Sequence, residues 1–314
     1  MARAALGVGD DCALLQPALG RQLAVSSDML VEGRHFFADV DPAALGHKAL
    51  AVNLSDLAAC GATPLAFTLA LALPRVDEAW LQGFSQGLFK LADAHGCELV
   101  GGDTTRGPLN ICITVFGEVP VVNGRSQALL RSGARPGDDI YVSGTLGDAR
   151  LALDALRGHV NLPTDLLVQT RQRLERPTPR IALGLALRGV ATAAIDISDG
   201  LLGDLRHILQ ASSAGATINT SVAIHLIAAS SHPACTTGVI SLKNQLDCVL
   251  AGGDDYELAF TAPVAARGAV QAAAQKANTP VTRIGRIDAE PGLRLVNRQG
   301  QAVSNTCCSF DHFA

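Results

Sequence analysis

The sequence has few charged side chains, few aromatic side chains and no long apolar run. Charged residues make up 17% of the 314 residues and apolar residues 48%, which indicates a compact protein with sizeable cores, long enough for two domains, and argues against disorder. The formal net charge is −4, so the chain lacks the basic footprint of a nucleic-acid-binding protein. The longest strongly apolar run, residues 65–73, is far too short to cross a bilayer. We expect no nucleic-acid partner and no membrane partner.

The eight cysteines are not spaced for a metal or disulfide framework. None lies in a C-x-x-C pattern, and Cys307 and Cys308 are adjacent. This arrangement predicts free thiols in a reducing compartment. The first residues, MARAALGVGDD, lack the apolar core of a signal peptide. We therefore expect a cytoplasmic protein.

Common nucleotide-binding motifs are also missing. The sequence contains no G-x-x-x-x-G-K-[ST] loop and no H-R-D with D-F-G set. The opening GVGD is not a dinucleotide fingerprint, because the third glycine and the strand–turn–helix context are absent. A phosphorylated ligand would have to be held by backbone amides, metal ions and a few arginines.

What the chain does contain is a series of aspartates, mostly beside Gly, Ser or Thr at predicted element ends. They are Asp11, Asp28, Asp56, Asp103, Asp196 and Asp199. With no matching number of nearby Lys or Arg, converging carboxylates indicate hard divalent cations, Mg²⁺ by preference, shared with phosphate oxygens. These residues alone predict a two-domain α/β protein that binds Mg²⁺ and a phosphorylated ligand, without naming the reaction.

Three of these positions have a plainer alternative. Residues 98–107, ELVGGDTTRG, read as a short strand followed by a glycine loop that lets backbone amides approach a ligand, but Gly-Gly-Asp is also a common turn. Asp56 is the only charged residue between Lys48 and Arg75, on a predicted helix. It either has a partner or binds a metal, or it is an N-cap or simply exposed. Residues 196–200, DISDG, place a strand end before a helix N-terminus. That is an anion site, or a helix capped by Ser198 or Asp199.

The element pattern predicts β-β-α-β-α-β-β for the first half, with strands at residues 22–26 and 31–37. A helix begins at Asp41-Pro42 and ends near Cys60, with Gly61 as its C-cap. Residues 131–138 are a Gly/Pro-containing connector, which separates domains at 1–132 and 133–314. In the second domain we predict a helix over residues 201–213 with Gly215 as C-cap.

Eight ordered motifs cover nearly the whole chain. They are GVGDDCA, SSDMLVEGRHF, KALAVNLSDLAACGATP, GGDTTRG, LRSGARPGD, IDISDGL, GGDDYEL and FDHF. In this order they resemble the thiamine-monophosphate kinase family, part of the superfamily that includes aminoimidazole ribonucleotide synthetase. The resemblance implies a two-domain PurM-like fold, α/β (α+β) in class, with N-terminal sheet domains pairing in a homodimer and a nucleotide cleft near that interface.

The resemblance also implies an activity. The family transfers the γ-phosphoryl group of ATP to thiamine monophosphate, giving thiamine diphosphate and ADP, with several Mg²⁺ ions. The nucleophile is a phosphate oxygen already ionised at neutral pH, so we expect no general base; positioning and electrostatics carry the transfer.

Matching the motifs residue by residue assigns three groups of positions. The metal-site positions are Asp11, Ser26, Ser27, Asp28, Asp56, Asp103, Asp196 and Asp199. The ATP-contacting positions are Gly102, Asp103, Arg131 and Ser198, and the thiamine-holding positions are His35, Asp254 and Phe310. Whether Ser26 or Ser27 contacts a metal is left open.

The chain departs from the family pattern at three places. It begins almost at GVGDD, without the family's N-terminal lead-in. Gly-Gly-Asp-Asp replaces Gly-Gly-Glu-Asp, which shortens the side chain at Asp254, and Cys307 and Cys308 occupy the region where a tryptophan is usual. Two alternatives follow: a related superfamily enzyme acting on another phosphorylated metabolite, or an impaired copy that binds Mg-nucleotide without turnover.

Overall fold

A computed structural model describes residues 4–6 and 12–304. The chain divides into two compact units, Met1–Ala128 and Leu129–Ala314. Asp11, Phe310, Cys307 and Cys308 lie outside the described residues. No helix in the described part of the chain combines the length and the apolarity needed to cross a membrane.

The N-terminal unit is a mixed sheet with two long helices. Its elements are β1 (Ala4–Leu6), β2 (Leu14–Leu15), β3 (Arg21–Val31), α1 (Pro42–Ala59), β4 (Thr63–Leu73), α2 (Glu78–His95), β5 (Glu98–Arg106), β6 (Asn110–Val122) and β7 (Arg125–Ser126). The strand order is β3-β6-β4-β5, with β7 paired to β6 and a separate β1–β2 pair. Only the β4–β5 pair is parallel, joined by α2 as crossover helix.

Helix α1 begins where local chemistry predicts. The Asp41 carboxylate accepts a hydrogen bond from the Ala44 N–H at 2.9 Å, and Pro42 occupies the first helical position. The helix ends at Ala59, and Gly61 follows with a φ of 64°. Helices α1 and α2 cross closely: a Cβ on Gly87 would lie 1.8 Å from the Ala43 carbonyl oxygen.

The sheet has one face covered by α1 and another that is partly open along β3. Side chains of β3 alternate, so that Leu30 is buried whereas Leu23, Val25 and Met29 are 43%, 56% and 52% exposed. The open part of this face therefore carries apolar side chains.

Two predictions for this unit are wrong in detail. The strand predicted for residues 31–37 is wrong beyond Val31, which ends β3, because Gly33 turns the chain with a φ of 78° and a single bridge joins Glu32 to Phe36. Residues 102–106 are not a loop, since β5 continues to Arg106 beside β4. The parallel pairing supplies hydrogen-bond partners that local turn chemistry does not reveal.

The C-terminal unit is a seven-stranded sheet with helices. Its elements are β8 (Asp139–Ser143), α3 (Asp148–Leu156), α4 (Thr164–Glu175), α5 (Ile181–Ala186), β9 (Ala193–Ile197), α6 (Leu201–Ser212), β10 (Gly215–Asn219), α7 (Thr220–Ala223), α8 (Pro233–Thr236), α9 (Leu242–Ala251), β11 (Glu257–Ala262), α10 (Arg267–Lys276), β12 (Val281–Asp288), β13 (Gly292–Val296) and β14 (Ala302–Val303). Short 3₁₀ turns span Ile224–Leu226, Ala228–Ser231 and Val264–Ala266.

The strand order is β14-β13-β10-β12-β8-β11-β9, antiparallel except for β10 and β13. Strands β8 and β11 and the edge strand β9 are buried along their whole length and contribute to a large apolar core. The predicted C-cap of α6 is wrong: Ser213, not Gly215, adopts the left-handed conformation with a φ of 52°, because Gly215 already begins β10.

Candidate functional site

Strand β3 and helix α1 bring two candidate metal residues into direct contact. The Ser26 hydroxyl donates a short hydrogen bond to the Asp56 carboxylate. Two residues along β3, the Asp28 N–H donates to the Asn53 side-chain oxygen at 3.1 Å. Asn53 and Asp56 are three residues apart and share one face of α1. Ser26, Asp28 and Asp56 therefore lie on the side of the strand that faces this helix.

Ser27 lies on the opposite face of the strand. Its hydroxyl is 3.0 Å from the Thr114 hydroxyl and donates to the Ile113 carbonyl oxygen at 3.2 Å. The structure thus separates the two adjacent serines: only the Ser26 hydroxyl is directed towards Asp56.

Asp103 occupies the fourth strand of the same sheet. In the strand register, Asp103 is opposite Ala70, which is opposite Cys112, which is opposite Met29. Directly paired residues point to one face, so Asp103 shares the face of Ser27. Gly102 precedes it with a φ of 145°, and a Cβ there would lie 1.9 Å from the Leu69 carbonyl oxygen. Glycine is required at this position.

His35 follows the Gly33 turn. Its Nδ1 accepts the Val31 N–H at 3.0 Å, which leaves the proton of the neutral imidazole on Nε2. The His35 carbonyl oxygen accepts from the buried Lys48 ammonium at 3.3 Å. These contacts fix His35 against the start of α1.

In the C-terminal unit, β9 ends at an acidic turn that leads into α6. Asp196 is buried in β9, and residues 198–200 form the turn. The amides of Ser198, Asp199 and Gly200 all donate to Oδ2 of Asp204, at 3.1, 3.1 and 3.0 Å. The alternative that Ser198 or Asp199 caps the helix is therefore wrong, because α6 has Gly200 as N-cap with no side-chain cap bond.

Sequence reasoning missed Asp204, which holds the amides of this turn. An acidic residue in the first turn of a helix is common and carries no specific signal. Burial, followed by the negative charge of Asp199, raises the pKa of Asp204 to about 7, while the three amide hydrogen bonds oppose that rise. The amide cluster predicted as an anion site is thus filled from within the chain.

The Gly-Gly-Asp-Asp loop, residues 252–256, packs directly on this turn. The Asp254 N–H donates to the Ser198 carbonyl oxygen and the Tyr256 N–H to the Ile197 carbonyl oxygen, both at 2.8 Å. Asp254 and Tyr256 have φ values of 66° and 52°. Non-glycine residues rarely adopt such values, and they persist where surrounding structure holds them, often at functional sites. Asp254 is therefore placed next to Ser198 and Asp199.

Glu257 follows the loop and is held by a buried network that the sequence did not suggest. Its carboxylate accepts from the Ser143 hydroxyl at 2.6 Å, from Arg173 Nη2 at 3.1 Å and from Arg180 Nε at 2.6 Å. Neighbouring Asp255 accepts from the Gly147 N–H at 2.9 Å, and burial raises its pKa well above the usual range. The C-terminal end of the loop is consequently fixed to the unit.

Arg131 lies on the surface in the connector. Its carbonyl oxygen accepts from the Ser212 hydroxyl at 3.2 Å, and the same hydroxyl accepts the Gly133 and Ala134 amides at 3.2 Å. The connector is therefore tied to the end of α6.

The donors in both units suit a hard cation. The described candidate side chains offer carboxylate and hydroxyl oxygens. Among the described residues, no group of three His, Cys, Asp or Glu side chains is arranged to hold an ion by itself. Mg²⁺ commonly uses one or two carboxylates and completes its coordination with waters and substrate phosphates. This donor set fits Mg²⁺ that is partly coordinated by water and phosphate better than it fits a metal coordinated by the protein alone.

Comparison with protein families gives two matches. The AIR synthase related N-terminal domain matches residues 9–119 and the AIR synthase related C-terminal domain matches residues 135–297. Among curated proteins, thiamine-monophosphate kinase from Escherichia coli K12 is 47% identical over 314 aligned residues, covering 98% of this chain and 92% of that protein.

Solved structures give the same assignment. The crystal structure of thiamine-monophosphate kinase from Stenotrophomonas maltophilia K279a has a TM-score of 0.85 and 46% identity, covering 96% of this chain and 92% of that one. A structure described as AaThiL complexed with AMPPCP and TMP has a TM-score of 0.78 and 30% identity, covering 95% and 89%. Two AIR synthase related domains, a mixed α/β fold and near-full-length identity agree, and the chain belongs to the thiamine-monophosphate kinase family.

Proposed function

We propose that this chain transfers the γ-phosphoryl group of ATP to thiamine monophosphate, giving thiamine diphosphate and ADP, with Mg²⁺. The observation that carries the proposal is the 47% identity over 98% of the chain to a thiamine-monophosphate kinase. A 30% identical structure described with AMPPCP and TMP adds an ATP analogue at a relative's site.

The chemistry needs positioning and charge compensation more than acid–base groups. Two polyanions must be held in line, and divalent cations offset their repulsion and the charge that develops during transfer. In the N-terminal unit we assign Ser26, Asp28 and Asp56 to metal binding, supported by the Ser26–Asp56 contact. Any contribution of Ser27 would come from its main chain, because its hydroxyl bonds towards Ile113 and Thr114. Asp11 is assigned with this set from its motif alone.

The remaining roles follow the motifs and the strand ends. Asp103, Asp196 and Asp199 would hold further Mg²⁺. Gly102, Asp103, Arg131 and Ser198 would contact ATP, and His35, Asp254 and Phe310 the thiamine substrate. The bonds from the 252–256 loop to Ile197 and Ser198 support a substrate position beside Asp254 and close to the acidic turn.

We further propose that residues 1–132 bind metal and ATP and form a homodimer, while residues 133–314 form the second α/β domain. Exposed Leu23, Val25 and Met29 on the open face of β3 support pairing through the sheet. The cysteines that the structure describes form no disulfide bond, which supports a cytoplasmic location.

The test uses the purified full chain with ATP, Mg²⁺ and thiamine monophosphate, and follows thiamine diphosphate by chromatography. We expect product that disappears with EDTA and returns with added Mg²⁺. Thiamine and an unrelated phosphate monoester serve as alternative acceptors. Product only with another acceptor would overturn the substrate assignment, and Mg-ATP binding without any product would favour the impaired copy.

A further inference from the structure

The acidic turn, residues 198–200, is held by one buried carboxylate and is bonded through its backbone to the 252–256 loop. Asp204 lies in the first turn of α6, is 4% exposed, and accepts three consecutive amides, those of residues 198–200. Three hydrogen bonds to one buried oxygen fix the direction of this turn. Asp204 itself is none of the residues assigned to metal, ATP or substrate.

The 198–200 turn then holds the 252–256 loop. The carbonyl oxygens of Ile197 and Ser198 accept the amides of Tyr256 and Asp254 at 2.8 Å, and these two loop residues have positive φ. A Cβ on Gly253 would lie 2.5 Å from the Ser198 carbonyl oxygen, so loop and turn are in close contact. A rotation of the 198–200 amides would therefore move the acceptors that keep the loop in its strained conformation.

We propose that Asp204 is a positioning residue that holds the 198–200 turn and, through it, the Asp254 loop in the geometry that binds Mg-ATP and thiamine monophosphate. The kinetic effect of this role rests on the proposed function. The structural coupling between turn and loop does not depend on any activity.

Two variants separate this role from general stability. Asp204→Asn keeps a side-chain oxygen that can accept the three amides, whereas Asp204→Ala removes the acceptor. A matched control is Asp138→Ala. Asp138 is also a buried carboxylate that accepts a backbone amide, that of Arg135 at 3.0 Å, and it bonds Thr192 at the other end of β9.

The first measurement is hydrogen exchange of the Asp254 and Tyr256 amides in the full chain. In Asp204→Ala we expect exchange at both amides to accelerate at least about tenfold beyond Asp138→Ala, since freed turn residues open locally. Asp204→Asn should retain protection. Unchanged protection in Asp204→Ala, or an equal loss in Asp138→Ala, would overturn the coupling.

The second measurement is steady-state kinetics against Mg²⁺ and thiamine monophosphate. Replacing a residue that orients metal ligands typically lowers metal affinity by about 10–100-fold. Asp204→Ala should therefore raise the half-saturating concentrations of Mg²⁺ and of thiamine monophosphate by about that factor. A purely structural role would lower kcat, through fewer active molecules, and leave both concentrations unchanged, which would overturn positioning. If the wild type makes no thiamine diphosphate, the proposed function fails, while the exchange measurement still decides the coupling.

Discussion

At the scale of single residues, strand alternation separates neighbours of identical chemistry. Ser26 contacts Asp56, while the adjacent Ser27 bonds to Ile113 and Thr114 on the other face. The motif alone left these two serines equivalent. Because β3 has a period of two, one backbone conformation directs only one hydroxyl towards α1.

Asp56→Asn tests the metal role of the α1 carboxylate. Asparagine retains the volume and can still accept from Ser26, but it lacks the charge that binds a cation. We expect turnover to fall at least about 100-fold while the thermal unfolding transition remains. The control is Asp93→Asn, an exposed aspartate of α2. Turnover in Asp56→Asn equal to that of the control would remove Asp56 from the metal site.

Asp139 lies in β8, far from the acidic turn. Its ion pairs predict that the stability of the protein depends on pH. Hydrogen bonds from Arg267, opposed by burial and supported by Arg283, lower the pKa of Asp139. A carboxyl with a lowered folded pKa contributes stability above its unfolded pKa of about 3.9 and loses it as pH falls through the folded value.

The thermal midpoint of Asp139→Asn should therefore lie below that of the wild type near neutral pH. We expect the gap to narrow as pH falls from about 5 towards 3, because the wild-type carboxylate is progressively neutralised. Differential scanning fluorimetry at several pH values measures it. A gap that stays constant over this range would show that charge is not the cause.

At the scale of elements, local signals succeeded where the chemistry is local. Asp41-Pro42 predicted the start of α1, since capping needs only the residues of the first turn. The prediction of a strand over residues 31–37 failed because contacts of His35 and Lys48 stabilise a turn at Gly33. Strand β10, GATIN, was missed because its partners β12 and β13, and not its composition, make it a strand.

The acidic residues of the proposed site could be proposed from the sequence, whereas the residues that hold them in place could not. The aspartates stand in recognisable motifs, whereas Glu257 bonds Ser143, Arg173 and Arg180, which only the fold brings near. The loop at Asp254 meets Ser198 across more than fifty positions of sequence. Nothing in either segment alone indicates that contact.

Gly102→Ala tests the close approach of β5 to β4. The φ of 145° is unfavourable for alanine, and its Cβ would lie 1.9 Å from the Leu69 carbonyl oxygen. We expect a loss of about 1–3 kcal/mol in the free energy of unfolding, measured by urea denaturation. The control is Gly101→Ala, whose Cβ would meet only Thr68 Cγ2 at 3.8 Å. Equal stability of the two variants would contradict the strain argument.

At the scale of the whole molecule, the apolar open face of the N-terminal sheet predicts the assembly state. Val25→Glu places a charge on a face where Leu23, Val25 and Met29 are exposed together. We expect the wild type to elute as a dimer and this variant as a folded monomer, because an unpaired charge opposes burial.

Size-exclusion chromatography with light scattering measures the mass of both proteins. Val239→Glu is the control, since Val239 is 70% exposed in the C-terminal unit. A monomeric wild type, or a Val25→Glu variant that remains dimeric, would place the interface elsewhere.

The filled amide cluster at the start of α6 has a consequence for the order of addition. Helix N-termini usually attract phosphate through unpaired amides, but here Asp204 already accepts those of residues 198–200, and Asp196 and Asp199 lie beside them. Metal-free ATP would therefore meet negative charge at this turn, whereas the Mg-ATP complex brings its own counter-ion. If ATP contacts Ser198 as proposed, this turn would favour the Mg-ATP complex over metal-free ATP, and calorimetric titration should show tight binding of ATP only when Mg²⁺ is bound first or arrives with it.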